Sequence, residues 1–440
     1  MHKIIKKSPI RVLNLYMLIA IVIGNIVGSG IFLLPSSLAR IGSISILAWF
    51  ITGFGAICIA LVFSKLSSIL PYHGGPYVYC QIAFGNFAAF LIAYIYWIYI
   101  WTGNAAIIIS FVAYLEFFLP ILKHNNILAI SICCSILWLI TLLNICSIKK
   151  VGILQLIIII LKVLPILLIA LIGLFFIKIK YLTVFKLDHS ISNTQAIFQA
   201  ITLTLWSLTG VESATVPANL VNNPRKNIPI ATIVGAVISV ILYVLTTISL
   251  MGLLPMKQLA NSDFPFIDVG IKLFGHWIGG FIAVIALLSI ISAINGWILL
   301  QGQVPLAAAK DRLFPKIFAK VNKNNIPVIG LLISSTLVTI LIASNYKQGF
   351  ISMFTFMILL ATATILIVYL FTSIAQLVLM YRQPNNYSKF SKIYYTIIAA
   401  IAILYSIIAI IGSGLTTIIY SLLLCSSAIP IYIYRKYLTF

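Results

Sequence analysis

Residues 154–176 read LQLIIIILKVLPILLIALIGLFF, a run whose only charge is Lys162. About 20 apolar residues in helical form cross the ~30 Å hydrocarbon core of a bilayer. No water reaches the backbone there, so such a run satisfies its own N–H and C=O groups as a helix. The chain carries twelve apolar stretches of this kind, at 15–38, 44–64, 86–116, 127–147, 151–177, 194–220, 229–253, 271–300, 327–344, 351–380, 393–411 and 416–434. Twelve is even, so both termini return to one side. The 440 residues are 62% hydrophobic and 8% charged, where a soluble domain has roughly a quarter charged. The expectation is an all-α polytopic membrane protein with 12 transmembrane helices, one bundle over 1–440.

The net charge of +22 lies mostly in short loops. With the N-terminus inside, the inner segments hold 19 Lys and Arg and the outer ones 8, which places both termini in the cytoplasm. The start, MHKIIKKSPIR, leads into a run too long for a signal peptide and without a small-residue cleavage site, so it is an uncleaved first span. No basic stretch interleaves with aromatics, which sets nucleic acid aside. The six cysteines fall in or beside spans without metal spacing, and the five histidines fall in tails or loops. No metal or cofactor is implied. A phosphate-binding G-x-x-x-x-G-K-[ST] loop is absent from the sequence, as are a Ser/His/Asp set and paired intramembrane carboxylates. An ATP-driven pump and an enzyme are both unsupported.

Two spans are interrupted, and they are five apart. The first breaks at Gly28-Ser29-Gly30, inside GNIVGSGIF. The sixth breaks around Thr209-Gly210 and carries Glu212 and Pro217. Irregular backbone within a membrane is tolerated where it lines a cavity, and paired breaks in two halves point to the binding site of a secondary transporter. The halves would span about 15–177 and 194–380, with extra helices at about 393–434. The N–H groups freed at the first break open a half-helix whose positive dipole end suits a carboxylate. Carbonyls freed at the second suit an ammonium. Together they suit an α-amino acid. The competing reading is close helix packing, since Gly24 and Gly28 fit G-x-x-x-G. Glu212 and Lys162 each cost roughly 2.5–3.5 kcal/mol at a span centre on insertion scales. Glu212 is expected to gate or handle protons. Lys162 is expected to give its three donors to carbonyls near Ile23 and Ile26; a fixed structural charge paired with Glu212 or with backbone is the alternative. Trp206 and Trp297 lie mid-span, where tryptophan either packs or covers a substrate. The 307–325 loop suggests an amphipathic interfacial helix.

GNIVGSGIFLLP (24–35) resembles the first-helix signature of the amino acid–polyamine–organocation (APC) superfamily. The likeness continues through HGGPYVYCQIAFG (73–85), LWSLTGVESATVPANLVNNPRKNIPIAT (205–232) and NGWILLQGQVPLAAAKDRLFPKIFAKVNKNNIPV (295–328). The nearest branch is that of basic amino acid/polyamine antiporters, including the arginine/agmatine antiporter. The resemblance implies a LeuT-type 5+5 inverted repeat with broken helices 1 and 6, often as a homodimer. It places the substrate carboxylate at Ser29 and Gly30 and the α-ammonium by backbone near Ile26, Trp206 and Thr209. Asn25 supports the first break, Asn104 lies by the side-chain pocket, and Trp297 is the middle gate. Glu212 with Tyr96 and Tyr369 forms a closed cytoplasmic layer. Lys162 resembles a lysine of proton-coupled permeases in the same superfamily. Tyr99 and Ile100 stand where the antiporter has small residues, Thr209 where it has an aliphatic, and Ala361 where it has a serine. The expected activity is alternating-access transport of a small-molecule amino acid, cationic or its amine, in a bacterial inner membrane among lipid, with protons as possible partners. The alternative is a proton-coupled symporter of neutral amino acids.

Overall fold

The computed structural model describes residues 11–146, 148–187, 190–344, 350–382 and 388–437. Lys3, Lys6, Lys7 and Lys347, counted for orientation, and His2 and His189 lie outside the described residues. In chain order the helices are α1 (Leu15–Ile26), α2 (Gly30–Ile41), α3 (Ile44–Ile69), α4 (Pro76–Phe84), α5 (Asn86–Leu115), α6 (Asn126–Cys146), α7 (Ile148–Leu174), α8 (Ile179–Leu182) and α9 (Asn193–Leu208). They continue with α10 (Pro224–Leu253), α11 (Met256–Ala260), α12 (Pro265–Phe274), α13 (Ile278–Lys310), α14 (Val328–Ser344), α15 (Phe350–Arg382), α16 (Lys389–Gly412), α17 (Leu415–Ser426) and α18 (Ala428–Tyr437). Counting α1–α2 and α17–α18 as single units, nine among the described residues are long and apolar enough to cross a membrane. Residues 158–174 of α7 and α14 are shorter apolar helices, and the broken sixth stretch holds α9.

The packing is that of a bundle bathed in hydrocarbon. Leu139, Leu142 and Leu143 of α6 and Ile160, Leu161 and Leu164 of α7 are each more than half exposed. Lys162, Glu212, Asn104 and Gln301 are fully buried. A soluble protein sorts these residue types the other way. The center is built by α1, α5, α9, α10, α13 and α15, with α3 packed on α9 and α10, and α7 on α1 and α13.

At one end, residues 12–13 and 220–222 form a short parallel clasp. The N–H groups of Val12 and Leu13 donate to the Leu220 carbonyl at 2.9 Å, and that of Asn222 to Leu13 at 2.9 Å. The chain beside it at 307–325 is not the interfacial helix expected from its pattern. Helix α13 runs on to Lys310, Arg312 turns left-handed at φ 58°, and Pro315 bars further helix. Only one 3-10 turn comes after it, Lys316–Ala319. Phe314 and Phe318 pack edge-on against Trp97, with ring centroids 6.0 and 5.8 Å away. Phe314 and Phe318 are thus spent on the protein, while Ile317 and Val321 stay exposed.

Candidate functional site

Helix α1 stops at Ile26 because the chain turns at Val27 (φ −84°, ψ 79°), and α2 starts at Gly30. Four carbonyls at the end of α1 therefore lose their next-turn partners. All four find donors on other helices. Gly24 accepts from the Lys162 ammonium at 3.2 Å and Val27 from the same group at 2.5 Å. Asn25 accepts from the Trp297 indole at 3.1 Å, and Ile26 from the Tyr243 hydroxyl at 3.0 Å. Lys162 thus meets the first break as expected, one residue along from the carbonyls named for it, and it makes no ion pair with Glu212. On the far side of the break, the N–H groups of Ser29 and Gly30 make no hydrogen bond to protein among the described residues. Gly30 has no room for a side chain: a Cβ there would lie 2.5 Å from Ser207 Oγ and 3.2 Å from the Tyr243 hydroxyl.

The second break is organised differently. Helix α9 ends at Leu208, Thr209 is extended, and Gly210 takes φ +107°, a conformation glycine adopts without strain. The chain resumes as 3-10 turns at Ser213–Thr215 and Ala218–Leu220, not as an α-helical half, with Pro217 between them. Thr209 caps the Trp206 carbonyl through its N–H and hydroxyl, at 3.3 and 2.8 Å. The carbonyls of Ser207, Leu208 and Thr209 accept no hydrogen bond among the described residues. The Ile26 and Trp206 carbonyls, expected to face an ammonium, are therefore already engaged, because each sits at a helix end with a donor in reach. The open acceptors lie one to three residues after Trp206.

The two breaks meet in one pocket. Asn25, Ser29, Gly30, Trp206, Thr209 and Trp297 line it, as does Ile26. Its free space is about 10 Å³ for the center of a water-sized sphere, room for one water. The site is closed. Both polar atoms of the Asn25 side chain lack partners although the residue is buried; the main-chain oxygen of Asn25 supports the break, while its amide remains available to the pocket. Asn104 does not line the pocket directly. Its neighbour Gly103 does the packing: a Cβ there would be 3.2 Å from the Trp206 ring and 4.0 Å from Ala361. Ile107 and Ser207, not foreseen from sequence, complete the lining.

Beside the pocket lies a polar layer. The Tyr96 and Tyr369 hydroxyls donate to the two oxygens of Glu212, at 3.0 and 2.6 Å. The Gly210 N–H donates to the Tyr369 hydroxyl at 3.3 Å. Tyr96 stacks on Tyr99 at 5.9 Å, and Tyr99 meets the Trp297 ring edge-on at 5.3 Å. One carboxyl is thus connected through rings to a tryptophan that lines the pocket. Tyr243, which the sequence did not single out, is held by stacking on Trp49 at 4.9 Å. Nothing in its surroundings in sequence separates it from the other 20 tyrosines.

A buried pocket at two helix breaks, inside an apolar helical bundle, is the architecture of a membrane transporter. The chain belongs to the amino acid permease family, whose model matches residues 13–429. A putative arginine/ornithine antiporter of Bacillus subtilis (strain 168) is 34% identical over 92% of each chain. A cadaverine/lysine antiporter of Escherichia coli (strain K12) is 32% identical over 76% of this chain and 75% of its own length. A putrescine transporter of Haemophilus influenzae is 30% identical over 94% of both. These relatives are transporters, not enzymes.

Proposed function

We propose that the protein exchanges a cationic amino acid for another cationic amino acid or an amine, by alternating access across a bacterial inner membrane. Twelve spans with cytoplasmic ends, arranged as a 5+5 inverted repeat over 15–177 and 194–380, would give this architecture. The observation that carries the reading is the division of labour between the breaks. Ser29 and Gly30 offer donors to a carboxylate, and Ser207 and Thr209, which also line the pocket, offer acceptors to an α-ammonium. Trp206 and Trp297 enclose the remainder, where a cationic end can lie against an aromatic face. Glu212, Tyr96 and Tyr369 form the layer that parts on one side. Lys162 occupies the place where a bound cation would otherwise satisfy Gly24 and Val27, which supports coupling to protons rather than sodium. The names of the relatives favour cationic over neutral substrates.

The test is counterflow in proteoliposomes. Labelled ornithine, lysine or arginine should accumulate when the lumen holds unlabelled lysine, putrescine or cadaverine, and not when it is empty. Uptake of a neutral amino acid into empty vesicles, driven by an imposed pH gradient, would replace this reading with the symporter.

A further inference from the structure

A second recess lies away from the breaks, between α5, the segment that follows α13, and α18. Tyr94 and Trp97 of α5, Phe314 and Phe318 of the segment, and Pro430 and Ile431 of α18 line it, around about 380 Å³ of free space. The rings brace one another: Phe314 and Phe318 meet at 6.0 Å, and Tyr94 lies 5.9 Å from Trp97. Both polar tips among these rings are spent on neighbours. The Tyr94 hydroxyl is 2.9 Å from Ser427 Oγ, and the Trp97 indole donates to Ser334 Oγ at 2.8 Å. The recess therefore offers carbon to whatever enters it. An amino acid or an amine would lose its water there and gain no partner.

The segment that supplies Phe314 and Phe318 is cationic. From 307 to 325 it carries Lys310, Arg312, Lys316, Lys320 and Lys323, all exposed, against one acid, Asp311. That acid already accepts from the Tyr77 hydroxyl at 2.8 Å. Lys316 follows Pro315 directly, and Lys320 stands two residues past Phe318. Ile317 and Val321, beside these lysines in the chain, are apolar and exposed. Aromatic rings and basic side chains together at the end of an apolar bundle mark a membrane–water boundary. A second copy of the chain, seated here face to face, would bring the same five cations against these, so the charge speaks against it. The occupant that answers both features has a hydrocarbon tail and a negative head.

We infer that the recess seats one acyl chain of an anionic phospholipid, with the lipid phosphate held by Lys316 and Lys320. The partner is a lipid of the surrounding leaflet, distinct from the solute of the pocket at the breaks. A tail in the recess gives the rings carbon contacts where they face unfilled space. A phosphate beside two lysines gains charge-assisted hydrogen bonds. A zwitterionic lipid with the same chains fills the recess equally well, but its choline offsets its phosphate and it brings no net charge to the lysines.

The experiment is native mass spectrometry of the purified, delipidated full-length protein, titrated with phosphatidylglycerol or with phosphatidylcholine of identical chains. Phosphatidylglycerol should be retained at concentrations that leave phosphatidylcholine unbound. Lys316→Gln and Lys320→Gln should each weaken phosphatidylglycerol ~5-fold and leave phosphatidylcholine unchanged. Ile431→Trp, which fills the recess, should weaken both lipids. Glycerol phosphate, a head without a tail, should displace neither. If Ile431→Trp does not purify, fluorescence quenching by phosphatidylglycerol with brominated chains, taken as the difference between wild type and Trp97→Phe, shows whether the tail reaches Trp97. Equal retention of the two lipids, lysine variants that bind as wild type does, displacement by glycerol phosphate, or no quenching of Trp97 overturns the inference. So does an Ile431→Trp variant that keeps its lipid and turns a dimer into a monomer, which gives the recess to a second copy. Counterflow reads the pocket at the breaks and not this recess, so the exchange reading stands or falls separately.

Discussion

The two breaks begin alike, as a glycine beside a small polar residue in an apolar run, and end up held in opposite ways. At the first, every orphaned carbonyl of α1 is taken by a donor from α7, α10 or α13. What it presents to the pocket is N–H. At the second, the cap is local, Thr209 onto Trp206, and three carbonyls stay open. Its main link to its neighbours is the Glu212 carboxyl with two phenols. The first break is strapped on several sides. The second is tied to α5 and α15 through one carboxyl, and beyond that by the backbone clasp at its far end. The exchange cycle proposed above calls for that asymmetry: one wall that keeps its shape and one that parts.

The largest effect should come from filling the first break. Gly30→Val drives a side chain into Ser207 and Tyr243 and should abolish transport while the protein still inserts and purifies. Normal uptake would show that the N–H wall is not part of the pocket. Next is Lys162→Met, which leaves the Gly24 carbonyl unpaired at roughly 1–3 kcal/mol and Val27 with only the Ser289 hydroxyl at 3.5 Å. It should lower the unfolding temperature, slow transport ~10-fold or more and remove the response to a pH gradient. Identical gradient response in the variant would make Lys162 a strap only.

Glu212→Gln puts an amide nitrogen where the carboxylate had a second acceptor oxygen, so one phenol must accept where it donated. Transport should persist, with a pH profile flattened across the acid range. A profile parallel to wild type would mean that the second break does not turn on protonation. The smallest effect is expected at His73, in the loop before α4. Burial, and then the Lys310 charge, push its imidazole down to about 4. The unfolded chain binds that proton near pH 6.5 and the folded one does not until about pH 4, so this contribution to stability is full above pH 6.5 and is lost as pH falls toward 4. His73→Gln should therefore narrow the fall in unfolding temperature between pH 6.5 and 4, measured in detergent, relative to wild type. An equal fall would remove His73 from the acid response.

Both breaks were legible because glycine, serine and threonine stand out in a run of Ile and Leu. Lys162 and Glu212 were legible because an ionisable group amid hydrocarbon demands a reason. The backbone path after Gly210 was not: apolar content suggested a second α-helical half, and the outcome depended on Pro217 and on turns closed by Thr215. Tyr243 and Ser207 were not legible either. Apolar spans here hold many hydroxyl and amide side chains, and whether one reaches a neighbour depends on how each helix is rotated. Sequence periodicity sets that weakly when every face is apolar. That the Ile26 and Trp206 carbonyls already hold donors was hidden for the same reason, since only the folded arrangement brings Tyr243 and Thr209 to them.

The clasp between residues 12–13 and 220–222 has a mechanical consequence. It fastens the start of α1 to the close of the second interrupted segment, at the same end of the bundle. Two rods pinned together at one end have a single shared hinge there instead of two. Their opening would then be timed by one relaxation process, seen as a single exponential by probes on either segment, and cutting the pin would split it into two.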